Sequence, residues 1–155
     1  MAAPQPQLLT DIALRFVRSD ALSIYNVQDE ERRIGAGGRI ARLRDLTLSS
    51  DLDNLRQAIE IRLLTPKGEL AALGHADYGS RLPDLIGTPN TETARNLAKL
   101  YVIEALKQEP RIQKIVAVDV TPASGERTLI RIFLKVLPIA TDTVIDLGPF
   151  TIDLQ

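Results

Sequence analysis

Glu109 and Arg111 stand two residues apart, with Pro110 between them. A carboxylate and a guanidinium on backbone stiffened by proline can make charge-assisted hydrogen bonds of fixed direction. Pro110 disfavours the α region for Glu109, so a preceding helix should stop near Gln108. The carboxylate then sits at the negative end of a helix dipole, unfavourable by roughly 0.3–1 kcal/mol at an exposed site. Arg111 can offset it. Two readings follow: an ordinary helix stop, or a rigid, exposed acid–base pair built for a partner.

Other chemistry is thin. Glycoside hydrolysis needs two carboxyls across a cleft, about 5–5.5 Å apart for retention or about 6.5–9.5 Å for inversion. Glu69, Asp77 and Asp84, in a loop-rich middle, are the first candidates. Against them, no tryptophan and only six Phe and Tyr residues are available for a sugar platform. Gly35-Ala36-Gly37-Gly38 lacks the Lys-Ser/Thr of a phosphate loop and the spacing of a dinucleotide fingerprint, so a loop is expected there. With no cysteine there is no disulfide framework and no thiolate metal site, and a single histidine argues against a zinc site. No catalytic residue, metal or cofactor is expected. A net charge of −1 argues against phosphate-driven nucleic-acid binding. No apolar run approaches the ~18 residues of a membrane span, so no membrane insertion is expected. Met1 to Gln7 lacks the basic start and apolar core of a signal peptide, which fits a cytoplasmic protein.

These residues need elements to position them. A chain of 155 residues suffices for one domain with a core and appended segments. Leu8, Ile12 and Phe16 repeat at helical spacing, while Leu8, Ile12, Leu14 and Phe16 also share one face of a strand; a helix is the expectation. Ser23–Val27 reads as a short strand, and Arg39–Leu48 has an alternating section. Ser49-Ser50-Asp51 offers N-caps for a helix with the stripe Leu52, Leu55, Ile59 and Leu63. Pro66 should end it near Leu64 or Thr65.

Ser80 can cap a turn carrying Leu82, Leu85 and Ile86. Thr88 or Asn90 caps a second helix whose buried side is Ala94, Leu97, Ala98, Tyr101, Ala105 and Leu106. Beyond Pro110 the period drops to two. Ile112–Val120 alternates, and Leu129–Leu137 sets Ile130, Ile132, Leu134 and Val136 against Arg131, Phe133 and Lys135. A third strand, Thr143–Leu147 and Phe150–Leu154, is interrupted at Gly148-Pro149, which could turn the tail away from its own sheet. Short connections favour a meander. The fold class is α+β: two main helices packed on a three-stranded antiparallel sheet, after an irregular N-terminal extension.

Three runs meet at telling spacing: Asn54–Glu69, His75-Ala-Asp-Tyr-Gly-Ser80 and Gln108-Glu-Pro-Arg-Ile112. In this order, followed by three strands, they resemble the baseplate-wedge, sheath-initiator family of contractile phage tails, type VI secretion systems and extracellular contractile injection systems. The likeness covers roughly residues 42–155, which sets 1–41 apart as an N-terminal extension and 42–155 as the sheath-initiator domain. The family's histidine run often reads His-Pro; here it is His75-Ala76.

The resemblance implies a structural protein, made in the cytoplasm and built into the particle's baseplate. It implies that Glu109, Pro110 and Arg111 dock to wedge proteins. It implies that the terminal strand, through Val144, Ile145, Asp146, Leu147, Phe150, Ile152 and Leu154, pairs with the sheath and templates its first ring. His75, Tyr78, Gly79 and Arg81 match the family's connecting loop. Tube or hub proteins are further candidate partners, and sixfold baseplate symmetry implies six copies per particle. Two alternatives stand beside this: a peptidoglycan-degrading, lysozyme-like baseplate enzyme, and a small protein-binding regulator on the same fold.

Overall fold

A computed structural model describes the backbone of residues 9–19, 22–27, 29–36, 39–139 and 141–155, and side chains in 9–14, 46–139 and 141–155. The chain divides into two compact units, residues 1–57 and 58–155.

Up to Ser50 the described residues of the first unit are mostly in strands. The strands are β1 (Thr10–Ile12), β2 (Leu14–Ser19), β3 (Leu22–Val27), β4 (Asp29–Ala36), β5 (Arg39–Leu46) and β6 (Leu48–Ser50). They pair antiparallel as β1 with β6, β2 with β3 and β4 with β5. This corrects the expected helix over Leu8–Val17. The helical spacing of Leu8, Ile12 and Phe16 yields to antiparallel strand pairing, with Phe16 opposite Tyr25 and Val17 opposite Ile24 in the register. The Ser23–Val27 strand is present. Of the expected glycine loop, Gly35 and Ala36 lie within β4, and Gly37 and Gly38 fall outside the described residues.

Buried Gln57 joins the strand ends: its Oε1 accepts from the Leu14 N–H (2.8 Å) and its Nε2 donates to the Ile12 carbonyl (2.9 Å). One side-chain amide thus satisfies two backbone groups where the chain passes from β1 to β2.

Helix α1 runs Asp51–Leu64 and stops ahead of Pro66, as Pro66 requires. Ser49 and Ser50 pair in β6, immediately ahead of it. Leu55, Ile59 and Leu63 are buried, whereas Leu52 is 38% exposed. Helix α2 is Glu92–Leu106. Its cap is Thr91 rather than Thr88 or Asn90: Thr91 Oγ1 accepts from the Ala94 N–H (3.2 Å). Asn90 has other work, donating to the Leu129 carbonyl (3.2 Å) and accepting from Arg95 (2.8 Å). Ala94, Ala98, Val102, Ala105 and Leu106 form the buried side of α2. Leu97 is partly exposed, so the buried stripe runs through Val102 instead.

The second unit's sheet has the order β7 (Ile112–Pro122), β8 (Leu129–Pro138), β9 (Ile145–Asp153), all antiparallel. Helix α2 packs against β7. Strand β8 is central, and its alternation is the expected one: Ile130, Ile132, Leu134 and Val136 are buried, and Arg131, Phe133 and Lys135 are exposed.

Strand β9 corrects the expected departure at Gly148-Pro149. It stays paired to β8 from Leu129↔Asp153 to Val136↔Ile145. The pairs Ile132↔Phe150 and Leu134↔Leu147 leave two β9 residues, Gly148 and Pro149, against one β8 residue, Phe133. This is a bulge, and it resets parity. Leu147 and Phe150 are three apart, so an uninterrupted strand would put them on opposite faces; the extra residue lets both point inward. The extra residue must approach β8 closely. A Cβ on Gly148, whose φ is +112°, would lie 2.7 Å from the Ile132 carbonyl oxygen, so glycine is needed here.

The two faces of β8 should answer differently to truncation. Ile132→Ala is expected to lower the unfolding free energy by about 2–5 kcal/mol. Phe133→Ala, on the exposed face, should change it by no more than about 1 kcal/mol. Urea titrations of both variants check this; equal losses would contradict the assignment of faces.

Candidate partner-docking site

The segment after α1 turns back onto the helix that precedes it. Thr65 Oγ1 donates to the Ile61 carbonyl (2.8 Å), and Ser80 Oγ donates to the Leu63 carbonyl (2.6 Å). Both carbonyls belong to the last turn of α1, where intrahelical donors run out. The Ser80 N–H donates to Thr65 O, and the Lys67 N–H to Ser80 O, each at 2.8 Å, a short parallel bridge of Pro66 with Ser80. Ser80 Oγ also accepts from the N–H of Leu82 (3.2 Å), the first residue of the 3-10 turn Leu82–Leu85; the cap position itself is Arg81, not the expected Ser80. Gly79 makes the return possible: at φ +103° a Cβ would stand 2.6 Å from Thr65 O.

This return sets Tyr78 beside α1. The Arg62 guanidinium carbon lies 4.4 Å from the centroid of the Tyr78 ring, a cation–π contact. Arg62 Nη2 donates to Glu109 Oε2 (3.4 Å), and on the other side Arg111 Nε donates to Glu109 Oε1 (2.6 Å). The Arg111 N–H reaches the same Oε1 (3.4 Å). Backbone bonds hold the corner: the Glu109 N–H donates to Leu106 O, Ile112 N–H to Glu109 O, and Ile139 N–H to Arg111 O.

The expected exposed acid–base pair is therefore corrected in one respect. Glu109 is only 4% exposed and Arg62 8%. The carboxylate is a buried bridge between two guanidiniums, and the residue left outside at the corner is Pro110, with Arg111 half-buried. Arg62 was not foreseen. It lies 47 residues from Glu109, and no local spacing links them. The one signal available was an arginine beside the buried position Leu63. Its Nε is buried and meets no acceptor among the described residues.

The rest of the connecting loop ties down more lightly. His75 is exposed. Arg81 pairs with Asp84 (3.1 Å) and lies 4.6 Å from the Tyr101 ring centroid; its hydrogen bond to Asp84 raises its pKa further above the ordinary arginine value. Lys67 Nζ donates to Glu104 (2.6 Å). That hydrogen bond holds the Glu104 carboxyl below its ordinary 4.5.

At the sheet's far side, Leu147, Phe150, Ile152 and Leu154 are buried in this chain's own core. Their side chains already have partners, so β9 offers an incoming strand only its outer backbone edge. Val144, 47% exposed, precedes the strand, and Asp146 pairs with Lys135 at 3.4 Å. Of the candidate glycosidase carboxyls, Glu69, Asp77 and Asp84 are all exposed, and Asp84 is occupied by Arg81. A groove of about 580 Å³ lies between α2 and β7, and none of the three lines it. Among the described residues no cluster of His, Asp and Glu could hold a metal ion, and no helix is long and apolar enough to cross a membrane.

The sequence profile of the contractile injection system sheath initiators matches residues 31–138. The chain belongs to that family. The match takes in α1, the connecting loop, the Glu109 corner and strands β7 and β8. A crystal structure from Geobacter sulfurreducens, of a protein given the provisional name tail lysozyme, superposes with a TM-score of 0.60 at 25% identity, covering 72% of this chain and 97% of that one. No curated protein matches. Membership places this sheath initiator among baseplate components of contractile tail particles, with a structural role.

Removing the carboxylate would leave two guanidiniums without a counter-charge. Glu109→Leu is expected to cost about 3–5 kcal/mol in urea unfolding; a loss below about 1 kcal/mol would show that the buried bridge does not hold the corner. At the surface, Glu104 should titrate below the ordinary carboxylate value by NMR and return to it in Lys67→Met. Because its folded pKa is lowered, the Lys67–Glu104 contact stabilises above the ordinary carboxylate range and is lost as pH falls through the lowered pKa.

Proposed function

We propose that this sheath initiator docks to wedge proteins through the Glu109-Pro110-Arg111 corner and starts the sheath by pairing a strand edge of its sheet with the first sheath subunits. The observation that supports this most is the corner itself. A buried carboxylate fixes both flanking guanidiniums, the backbone is bonded on either side, and what projects is Pro110. Such a corner enters a partner's pocket with little ordering cost. Glu109 acts from inside by orienting Arg111, so the surface that meets the partner is Pro110 and the outer side of Arg111.

The sheet serves a second partner. β7 and β9 are its edges, and among the described residues neither has a further strand neighbour. Free edges template strand addition. Docking at one corner and pairing at an edge would let one small chain bridge wedge and sheath. In this reading the protein is not an enzyme. Six copies per particle, and contacts with tube or hub, belong to the same proposal.

Pro110→Glu tests the docking step without disturbing the buried bridge. Purified, the variant should unfold within about 1 kcal/mol of the parent, as an exposed substitution does. In the intact system, electron micrographs should show baseplates that fail to carry sheath. Sheathed particles in normal number, with the variant incorporated, would contradict the docking role. Peptidoglycan hydrolysis by the purified chain, lost in Glu69→Gln, would favour the enzyme instead.

A further inference from the structure

Helix α2 carries a second apolar stripe, apart from its buried side. Leu100 is 60% exposed, and Ile103 is half-buried. Exposed Asn96 precedes them and exposed Lys107 follows, so the four recur at spacings of four, three and four residues. That alternation is the one a helix presents to another helix along a seam. Charge gathers on one flank of it. Of the chain's five lysines, Lys67 and Lys135 are paired with Glu104 and Asp146. The other three, Lys99, Lys107 and Lys114, line the groove between α2 and β7 together with Ile103, and no carboxylate among the described residues pairs with them. Asp119 is the only acidic residue lining that groove.

From these observations we infer that the outer stripe of α2 seats an acidic, amphipathic α-helix of a partner protein. Apolar residues of that helix, at heptad spacing, pack on Leu100 and Ile103. Its carboxylates, along one flank, meet Lys99, Lys107 and Lys114. Unpaired like charges gathered on one surface repel one another and are relieved by a complementary occupant. A strand is the poorer occupant here. The stripe has a helical period, and the adjoining half of β7 is interrupted by bulges between Ile112 and Lys114 and between Ile115 and Ala117. A nucleic acid also fits less well, because the groove has no aromatic side chain on which a base could stack. The inference rests neither on strand pairing nor on the Pro110 corner; it adds a third surface to the chain.

The test uses the full chain, isotope-labelled, and a lactam-bridged helical peptide about three heptads long, with leucine at the seam positions and glutamate beside them. The peptide should shift resonances of Asn96–Lys107 and of Lys114. Leu100→Glu, an exposed substitution that leaves the core alone, should weaken binding at least about tenfold, and so should Lys99→Glu/Lys107→Glu/Lys114→Glu. Leu73→Glu, at a leucine 73% exposed outside α2, should leave binding unchanged. Raised salt should weaken binding to the parent. A proline in the middle of the peptide, at equal charge, should abolish it. No shift at millimolar peptide, equal binding of a lysine-bearing peptide, an equal loss in Leu73→Glu, or undiminished binding of the proline peptide would each overturn the inference. So would a dimer of the chain alone that Leu100→Glu dissociates, which would give the stripe to a second copy. Binding of an extended valine–glutamate peptide in place of the helical one would remove the helix while favouring strand pairing, so the two readings fail separately. The corner keeps its own assembly test, which neither result touches.

Discussion

A carboxylate cannot be buried alone, and Glu109 is buried. Desolvating a lone charge costs several kcal/mol even after relaxation, so the fold must bring cations to it. Arg111 comes by local geometry, two residues on around Pro110. Arg62 comes from α1, 47 residues away, and that requirement spreads through the second unit. Helix α1 must end where Arg62 can reach the corner. The segment after it must return so that Tyr78 covers the guanidinium. Gly79 and Ser80 permit the return, the first by having no side chain against Thr65, the second by completing the last turn of α1. The corner, the connecting loop and the helix end are thus one electrostatic construction.

That construction separates two tasks. Rigidity comes from inside, where the ion bridge and backbone bonds fix the turn between α2 and β7. Recognition is left to what projects. The sheet faces the same division: β8 and the inward side of β9 build the core, and the edges retain free backbone. The bulge at Gly148-Pro149 serves the core side of this division, since it restores inward parity for Phe150, Ile152 and Leu154 after Leu147. On the proposed function, in which one chain bridges two partners, such a division keeps either surface from compromising the other's support.

Much of this was legible in the sequence because it is local. Pro66 and Pro110 end helices through contacts with their immediate neighbours, and β8 displays period two over its whole length. The α+β class followed from such features, and the family from the resemblance of three sequence runs. What escaped was non-local or depended on parity. A bulge is one residue in a strand, and glycine followed by proline reads equally well as a break. The burial of Glu109 could not be read at all from its surroundings, because the residue that makes burial tolerable sits on another helix. Leu8–Val17 satisfied both periods, and strand pairing, of Thr10–Ile12 with β6 and of Leu14–Val17 with β3, decided between them. The cap at Thr91 shows the same competition: Asn90 is an equally good cap by type, but β8 and Arg95 claim its side chain.

The most direct test of this account is a double-mutant cycle between Arg62 and Glu109, using Arg62→Met and Glu109→Leu singly and together. If the buried bridge organises the corner, the double variant should be clearly more stable than the sum of the single losses implies. The coupling should exceed about 1.5 kcal/mol, as for close charge pairs removed from water. Additive losses, with a coupling within about 0.5 kcal/mol of zero, would contradict it.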